Sequence, residues 1–127
     1  VASNDDLVYV GDRTNNRFQV FSLDGTFVRE VFIARNTLQA EGTVHHFVLS
    51  PDKAQQFLYL VDGSNKVVRI LNRQTLEILA NVGGHAGHNA REFFHIHGIA
   101  ADSKGNLYLG EVNNGMRYYK YAFKGVR

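Results

Sequence analysis

The chain is 127 residues long, carries a formal net charge of +2, and is 44% hydrophobic and 12% aromatic. This is the length of one ordinary domain with enough apolar residues for a core, which excludes a disordered tail. Lysine and arginine are scattered singly, which argues against a nucleic-acid partner. Cysteine is absent, which excludes disulfides and thiolate metal sites. No apolar stretch approaches the roughly 18 residues of a membrane-spanning helix, so we expect no membrane partner.

Short apolar runs bounded by turn residues predict ten β-strands. In chain order they cover residues 7–10, 18–23, 26–33, 45–49, 57–61, 67–71, 76–82, 97–101, 107–109 and 118–123. The run at residues 58–61 is apolar on both faces, as a strand between two packed sheets requires. Asp24 followed by Gly25 is typical of a two-residue hairpin. No segment of ten or more residues has a helical period, so the predicted class is all-β.

One strand–turn–strand pattern occurs three times, at residues 7–21, 57–71 and 106–121. Its tyrosines, Tyr9, Tyr59 and Tyr108, are 50 and 49 residues apart. An acidic residue follows each tyrosine by three positions, and an asparagine follows each acid by three: Asp12 and Asn15, Asp62 and Asn65, Glu111 and Asn114. A period near 50 in strand-type residues predicts the blades of a β-propeller.

We therefore predict a single partial β-propeller over residues 1–127, with about three blades of four-stranded antiparallel sheet. An incomplete blade covers residues 1–40 and begins at its second strand, a complete blade covers 41–90, and an incomplete blade covers 91–127 and lacks its fourth strand. Such a piece exposes blade faces and unpaired strand edges. We expect these to be covered by the remaining blades of a larger ring or, alternatively, by a second copy of the chain.

The first unit, from Val8 to Phe21 with Asp24 and Gly25 after it, resembles an NHL repeat. That family has an aliphatic–Tyr–aliphatic strand, an Asp, an Asn-Asn-Arg turn, a Val/Gln strand and an Asp-Gly turn. Residues 98–102 and 105–108 resemble the opening of the next such blade. The second unit departs from the pattern at Lys66 and Val67, and the third carries one extra residue before Arg117. The resemblance implies a six-bladed ring, of which this chain is the C-terminal part, and an exported protein.

The repeated polar residues have a structural interpretation. Asp12, Asp62 and Glu111 each follow a strand, where a carboxylate accepts backbone N–H bonds across a tight turn. Asn15, Asn65 and Asn114 have side chains that tolerate left-handed turn conformations. We expect these six positions to hold the shape of each blade, and Arg17 and Arg117 to form ion pairs near the blade edge.

The six histidines come in pairs at residues 45 and 46, 85 and 88, and 95 and 97. His46 and His97 are 51 residues apart and open equivalent strands of successive blades, so both are expected to face the central channel. His85 and His88 lie in a glycine-rich loop between blades. The histidines have two interpretations: hydrogen-bonded residues at a channel mouth, or metal ligands.

The metal interpretation is strengthened by a second resemblance, because some bacterial NHL proteins are similar to peptidyl-α-hydroxyglycine α-amidating lyases. In that family, histidines from several blades bind a catalytic zinc ion in the channel. The resemblance implies that His46 and His97 are zinc ligands and that a third ligand comes from another blade. Zinc is favoured over calcium, because imidazole is a ligand that zinc prefers.

Three functions follow from these patterns. The favoured one is a binding scaffold that holds a protein, peptide or small-molecule ligand on a loop face. The alternative is a zinc-dependent lyase or hydrolase with its site in the channel, and a further alternative is a structural subunit joined through blade edges. The sequence has no G-x-S-x-G elbow, phosphate loop or H-E-x-x-H motif, so no catalytic residue is assigned.

Overall fold

The computed structural model describes residues 1–125, and the last two residues of the third predicted blade lie outside that range. It contains ten strands, β1 (Leu7–Asp12), β2 (Arg17–Ser22), β3 (Phe27–Phe32), β4 (His46–Leu49), β5 (Phe57–Asp62), β6 (Val67–Asn72), β7 (Ile78–Gly83), β8 (Ile96–Ala101), β9 (Leu107–Glu111) and β10 (Tyr118–Tyr121). Each corresponds to one of the ten predicted segments, with bounds shifted by a few residues at most. No helix in the described range is suited to crossing a bilayer by its length and apolar character.

The strands form three antiparallel sheets. The first sheet has the order β1-β2-β3, the middle sheet β4-β5-β6-β7, and the third sheet β10-β9-β8. The first sheet contains one element that the sequence did not predict: Val1 and Ser3 pair with β1 through Tyr9 N–H to Val1 O (2.8 Å) and Ser3 N–H to Leu7 O (2.8 Å). Residues 1–3 therefore occupy the place that the inner strand β4 has in the middle sheet.

The middle sheet is packed between the other two. Leu58 and Leu60 belong to one buried cluster shared with the first sheet, whereas Tyr59 and Val61 belong to another shared with the third sheet. Because successive residues of a strand point to opposite faces, this alternation places one sheet on each side of β5. It explains why residues 58–61 are apolar throughout.

The sheets converge at their inner strands and separate toward their outer ones. The inner strands β4 and β8 are in contact across the interface between the middle and third sheets. Farther out, the same two sheets leave an apolar groove of about 490 Å³, lined among others by Ile70, Val82, Leu107 and Tyr121. This wedge-shaped spacing is the radial arrangement that the repeat predicts.

The repeated acidic residues form ion pairs with arginines that lie in the following strand or directly before it. The pairs are Arg17–Asp12, Arg69–Asp62 and Arg117–Glu111, with N–O distances of 2.8, 2.6 and 2.6 Å. In the middle sheet, where Val67 stands in place of the repeated arginine, Arg69 lies two residues farther on the same face of β6 and reaches the same carboxylate. Sequence comparison of the three units missed this substitute because its spacing differs.

The repeated asparagines have divergent roles. Asn15 and Asn65 donate side-chain hydrogen bonds to the acid of their own turn, at 2.9 Å to Asp12 and 2.9 Å to Asp62. The left-handed conformation suggested for these positions lies elsewhere, at Asn16 (φ 55°), Lys66 (φ 56°) and Asn113 (φ 55°). In the first two turns the left-handed residue is the fourth of the turn, and its backbone N–H donates a hydrogen bond to the carbonyl three residues earlier. Asn114 is exposed in the longer third turn.

The hairpin at Asp24 and Gly25 is longer than predicted. Ser22 and Thr26 close a loop of three residues, with Ser22 N–H donating to Thr26 O at 3.0 Å. Gly25 takes a φ of 88°, which is the left-handed position of a three-residue hairpin loop rather than of a two-residue turn.

Candidate functional site

Histidine and acidic side chains meet at one end of the sheets. Because the strands alternate in direction, the loops that enter β4 and β8 lie at the same end as the turn that follows β5. We call this end, formed by residues 34–45, 63–66 and 84–95, the histidine end. There, one ligand atom each from Glu41, His45 and His95 lie within 4.8 Å of one another.

Glu41 is positioned by a loop that both neighbouring sheets anchor. Arg13 Nε donates to the Glu41 backbone carbonyl at 2.7 Å, and the Ser64 hydroxyl donates to the carbonyl of Gly42. Gly42 has a φ of 69°, and a Cβ there would lie 1.9 Å from the Arg13 carbonyl oxygen. The close contact thus requires glycine, and it fixes the backbone beside the 55% exposed Glu41 side chain.

His45 is the buried member of the group. Its side chain is fully buried and lies against Gly63, where a Cβ would come within 2.8 Å of the imidazole. Nδ1 accepts a hydrogen bond from the Gly63 N–H at 3.3 Å. Nε2 has no hydrogen-bond partner and lies 3.8 Å from Oε2 of Glu41.

His95 is held by one of the repeated acids. Oε1 of Glu111 accepts the backbone N–H groups of Phe94 and His95, the latter at 3.0 Å, while Oε2 pairs with Arg117. Burial alone would raise the pKa of Glu111, but the Arg117 guanidinium and the two N–H donors outweigh it and lower that pKa. The anchored backbone places His95 Nε2 3.5 Å from Oε2 of Glu41.

His97 joins the group through a β-bulge. The register of β8 with β9 shifts between Ile96 and Gly98, so His97 is the extra residue, and such a bulge re-aims a side chain. The ring centre of His97 lies 6.2 Å from that of His45 and 6.2 Å from that of His95. His45 and His95 have ring centres 6.0 Å apart.

The bulge changes the predicted equivalence of His46 and His97. His46 pairs with Val61 in the middle sheet, and in the third sheet Gly98 pairs with Gly110, which is the counterpart of Val61. The position equivalent to His46 is therefore Gly98 rather than His97. Nδ1 of His46 accepts the Ile99 N–H at 3.2 Å, and its ligand role stays a prediction. The structure brings His97 to the group built by Glu41, His45 and His95.

The pairing of histidines in the sequence indicated a candidate metal site in this region, but it did not identify the members of the group. The predicted ligands were His46 and His97 and not their paired residues His45 and His95. Glu41 carries no signal beyond lying four residues before His45. Loop anchoring and a bulge, neither of which has a residue signature of its own here, bring the group together.

We expect His45 to titrate below its ordinary pKa. Burial lowers this pKa because it disfavours the charged form of the ring, and the positive charge of Arg13 lowers it further. The Thr43 carbonyl and Glu41 oppose the shift in part. Below a pH of about 6.5 the unfolded chain therefore takes up a proton that the folded chain excludes. The contribution of His45 to the free energy of unfolding is therefore fully present above that pH and is lost as the pH falls.

An NMR titration of the His45 ring tests this expectation, with the same chain unfolded in urea as the reference. The folded midpoint should lie below the unfolded one. A folded midpoint equal to or above the unfolded value would contradict the described burial of the ring.

Comparison with known proteins defines the class of the fold. No family model and no curated protein matches the sequence. A solved structure does match: the chain is similar to streptogramin B lyase with a TM-score of 0.60 and 12% identity, over 98% of this chain and 39% of the lyase chain. At this identity the likeness shows the fold, and the chain is an all-β, partial β-propeller, as predicted. It spans about two fifths of the length of that lyase chain.

Proposed function

We propose that the chain is part of an NHL-type, six-bladed β-propeller that acts as a binding scaffold, with its ligand held at the histidine end. The NHL assignment rests on the first repeat unit and on the carboxylate–arginine ion pair that recurs in all three sheets. A repeated ion pair of this kind stabilises each blade and leaves the non-repeated residues free for ligand binding.

The observation that carries the proposal is the convergence of Glu41, His45 and His95 from two successive sheets. Here one imidazole is fully buried and its Nε2 faces a carboxylate without a hydrogen bond. Such an arrangement is typical of a binding site, because a ligand supplies the missing partner.

A second observation favours the same end as a contact surface. The loop before β4 is fixed by hydrogen bonds to Thr37 from Asn16 and Asn65, yet its next residue, Leu38, is 96% exposed. At the same end, Met116 in the turn of the third sheet is 83% exposed. Apolar side chains presented on anchored loops favour a protein or peptide ligand over a nucleic acid.

NMR shift mapping with a panel of short peptides tests the scaffold. We expect the amides that shift to cluster in residues 38–46 and 94–97. A matched variant, Glu41→Gln, should weaken binding without changing the rest of the spectrum. Shifts confined to the opposite end, at residues 51–56 and 102–106, or no binding by any peptide, would overturn the proposal.

A zinc-dependent lyase or hydrolase is the second candidate, favoured by the imidazole–carboxylate group. Zinc, when bound, supplies a Lewis acid for a carbonyl or hydroxyl oxygen. Arg13 supports this candidate, because its Nη2 lies 3.7 Å from Oε2 of Glu41 and a guanidinium beside the group can pair with a substrate carboxylate.

Turnover of benzoyl-α-hydroxyglycine to glyoxylate, with zinc added, tests this candidate. The enzyme hypothesis predicts glyoxylate formation that is lost in His95→Ala. No turnover at any zinc concentration would remove it and leave the binding scaffold standing.

The open faces of the first and third sheets are proposed to be covered by further blades or a second copy. Val10 is 40% exposed on the first sheet and Tyr118 is 82% exposed on the third. Both lie on faces that an adjoining blade would bury in a closed ring.

A further inference from the structure

The geometry points to a site for one divalent transition-metal ion that joins the middle and third sheets, with His45, His95, His97 and Glu41 as its ligands. This inference rests on the proposed function in that it names a ligand for the histidine end. It differs from the set that the family resemblance implies, in which His46 and His97 act with a histidine from another blade. All four groups here come from the described chain.

The buried ring of His45 is the first feature that indicates a metal site. A fully buried imidazole nitrogen without a hydrogen-bond partner is unusual, because buried polar groups are almost always paired. Nε2 of His45 has no such partner, and the Gly63 backbone holds its ring in place. The unpaired nitrogen faces Glu41 and His95, so a metal ion at that point would satisfy it.

The distances between the ligand atoms are the second feature that indicates a metal site. Ligand atoms on one zinc ion at 2.0–2.1 Å lie about 3.3 Å apart in a tetrahedral site. The Nε2–Oε2 distances here are 3.8 Å for His45 and 3.5 Å for His95. The ligand atoms of Glu41, His45 and His95 all lie within 4.8 Å of one another, and the ring centre of His97 lies 6.2 Å from those of His45 and His95. The exposed Glu41 and His97 side chains would move toward the buried His45 to close the set.

Two imidazole rings have neighbours that can accept the proton on their second nitrogen. A metal-bound imidazole carries its proton on the other nitrogen, where a second-shell acceptor holds it. In the metal-free chain Nδ1 of His45 accepts the Gly63 N–H, so a metal ion on Nε2 would move the ring proton to Nδ1 and replace that hydrogen bond. The Thr43 carbonyl, which favours protonation of His45, would then be the acceptor for that proton. Asn113 Nδ2 lies 3.4 Å from Nδ1 of His95, and a flip of this amide presents its oxygen to a protonated Nδ1.

The ligand types select the metal. Three imidazoles and one carboxylate suit zinc, nickel, cobalt or copper, whereas calcium requires six to eight oxygens. Four protein ligands make a closed site of the structural kind, which belongs with the binding scaffold and not with the zinc-dependent enzyme, because a catalytic site keeps an open position. Because His45 belongs to the middle sheet and the other two histidines to the third, a bound ion would hold the two blades together at their axial end.

Calorimetric titration of the full chain with zinc alone tests the site. We expect one ion per chain and a higher denaturation midpoint in zinc. His95→Ala and His97→Ala should each lower the affinity by at least about 100-fold, because loss of a ligand costs no less than the upper end of the range for loss of an outer-shell partner. Both variants alter side chains that reach solvent, so their folding is preserved even if His45→Ala fails to fold. Glu41→Gln should also weaken binding.

His85→Ala, at an exposed histidine of the loop before β8, is the matched control and should bind zinc unchanged. His46→Ala should also leave the affinity unchanged. No saturable binding, or a loss in His46→Ala as large as in His95→Ala, would overturn the inference. Peptide binding at the histidine end without zinc binding would leave the proposed function standing, and the reverse result would leave only the metal site.

Discussion

Replacement of Phe93 by alanine should lower the free energy of unfolding by about 3–5 kcal/mol. Phe93 is fully buried between the middle and third sheets, and its ring packs edge-on against Tyr119 with centres 5.3 Å apart. On the other side it lies against Gly83, where a Cβ would come within 2.6 Å of the ring. Truncation leaves a cavity that this close packing cannot fill.

Urea denaturation measures the effect, and Phe94→Ala is the matched control. Phe94 is the next residue in the chain, is only partly buried, and packs at a tilt against His88 with ring centres 4.5 Å apart. Its truncation should cost less than about 1.5 kcal/mol, because little apolar area returns to water. Equal losses at the two positions would show that Phe93 does not join the sheets.

Replacement of Arg73 by methionine is the second large effect, with an expected loss of about 2–3 kcal/mol. The Arg73 side chain is 2% exposed and donates to the Gln55 carbonyl (2.7 Å), Oδ1 of Asp5 (2.8 Å) and the Tyr9 hydroxyl (3.2 Å). It thereby connects the first sheet to the middle sheet at the end opposite the histidines. The expected loss is below that of a fully buried pair because Asp5 is 44% exposed.

Two further variants separate the charge of Arg73 from its geometry. Arg73→Lys keeps the charge but loses the planar array of donors, so it should recover only part of the stability. Asp5→Asn should cost about 1 kcal/mol or less, since that carboxylate is half exposed. If Arg73→Met changed the unfolding free energy by less than about 0.5 kcal/mol, the guanidinium would not link the sheets.

The fold could be predicted because its signals are local. Alternation in the strands, turn residues between them and the recurring Tyr9, Tyr59 and Tyr108 together identify the sheets and their order. The doubly apolar run at residues 58–61 also indicates that the middle sheet is covered on both faces. These patterns depend on neighbours in sequence, which the sequence displays directly.

The candidate site depends on features that spacing does not display. The bulge at His97 shifts the register by one residue, so counting along the strand paired His97 with the wrong histidine. Glu41 is brought in by a loop that Arg13 fixes from another sheet, a contact between residues 28 positions apart. Arg69 replaces the repeated arginine because it lies on the same face of β6 as Val67 and pairs with Asp62. Each of these requires three-dimensional packing to be seen.

Methyl-labelled NMR spectroscopy tests the central claim, the packing of the middle sheet between the other two. The Leu60 methyl groups should show nuclear Overhauser effects to first-sheet residues such as Phe18 and Val20. The Val61 methyl groups should show them to Ile96 and Ile99 of the third sheet. Contacts from both residues to the same sheet would contradict the radial arrangement.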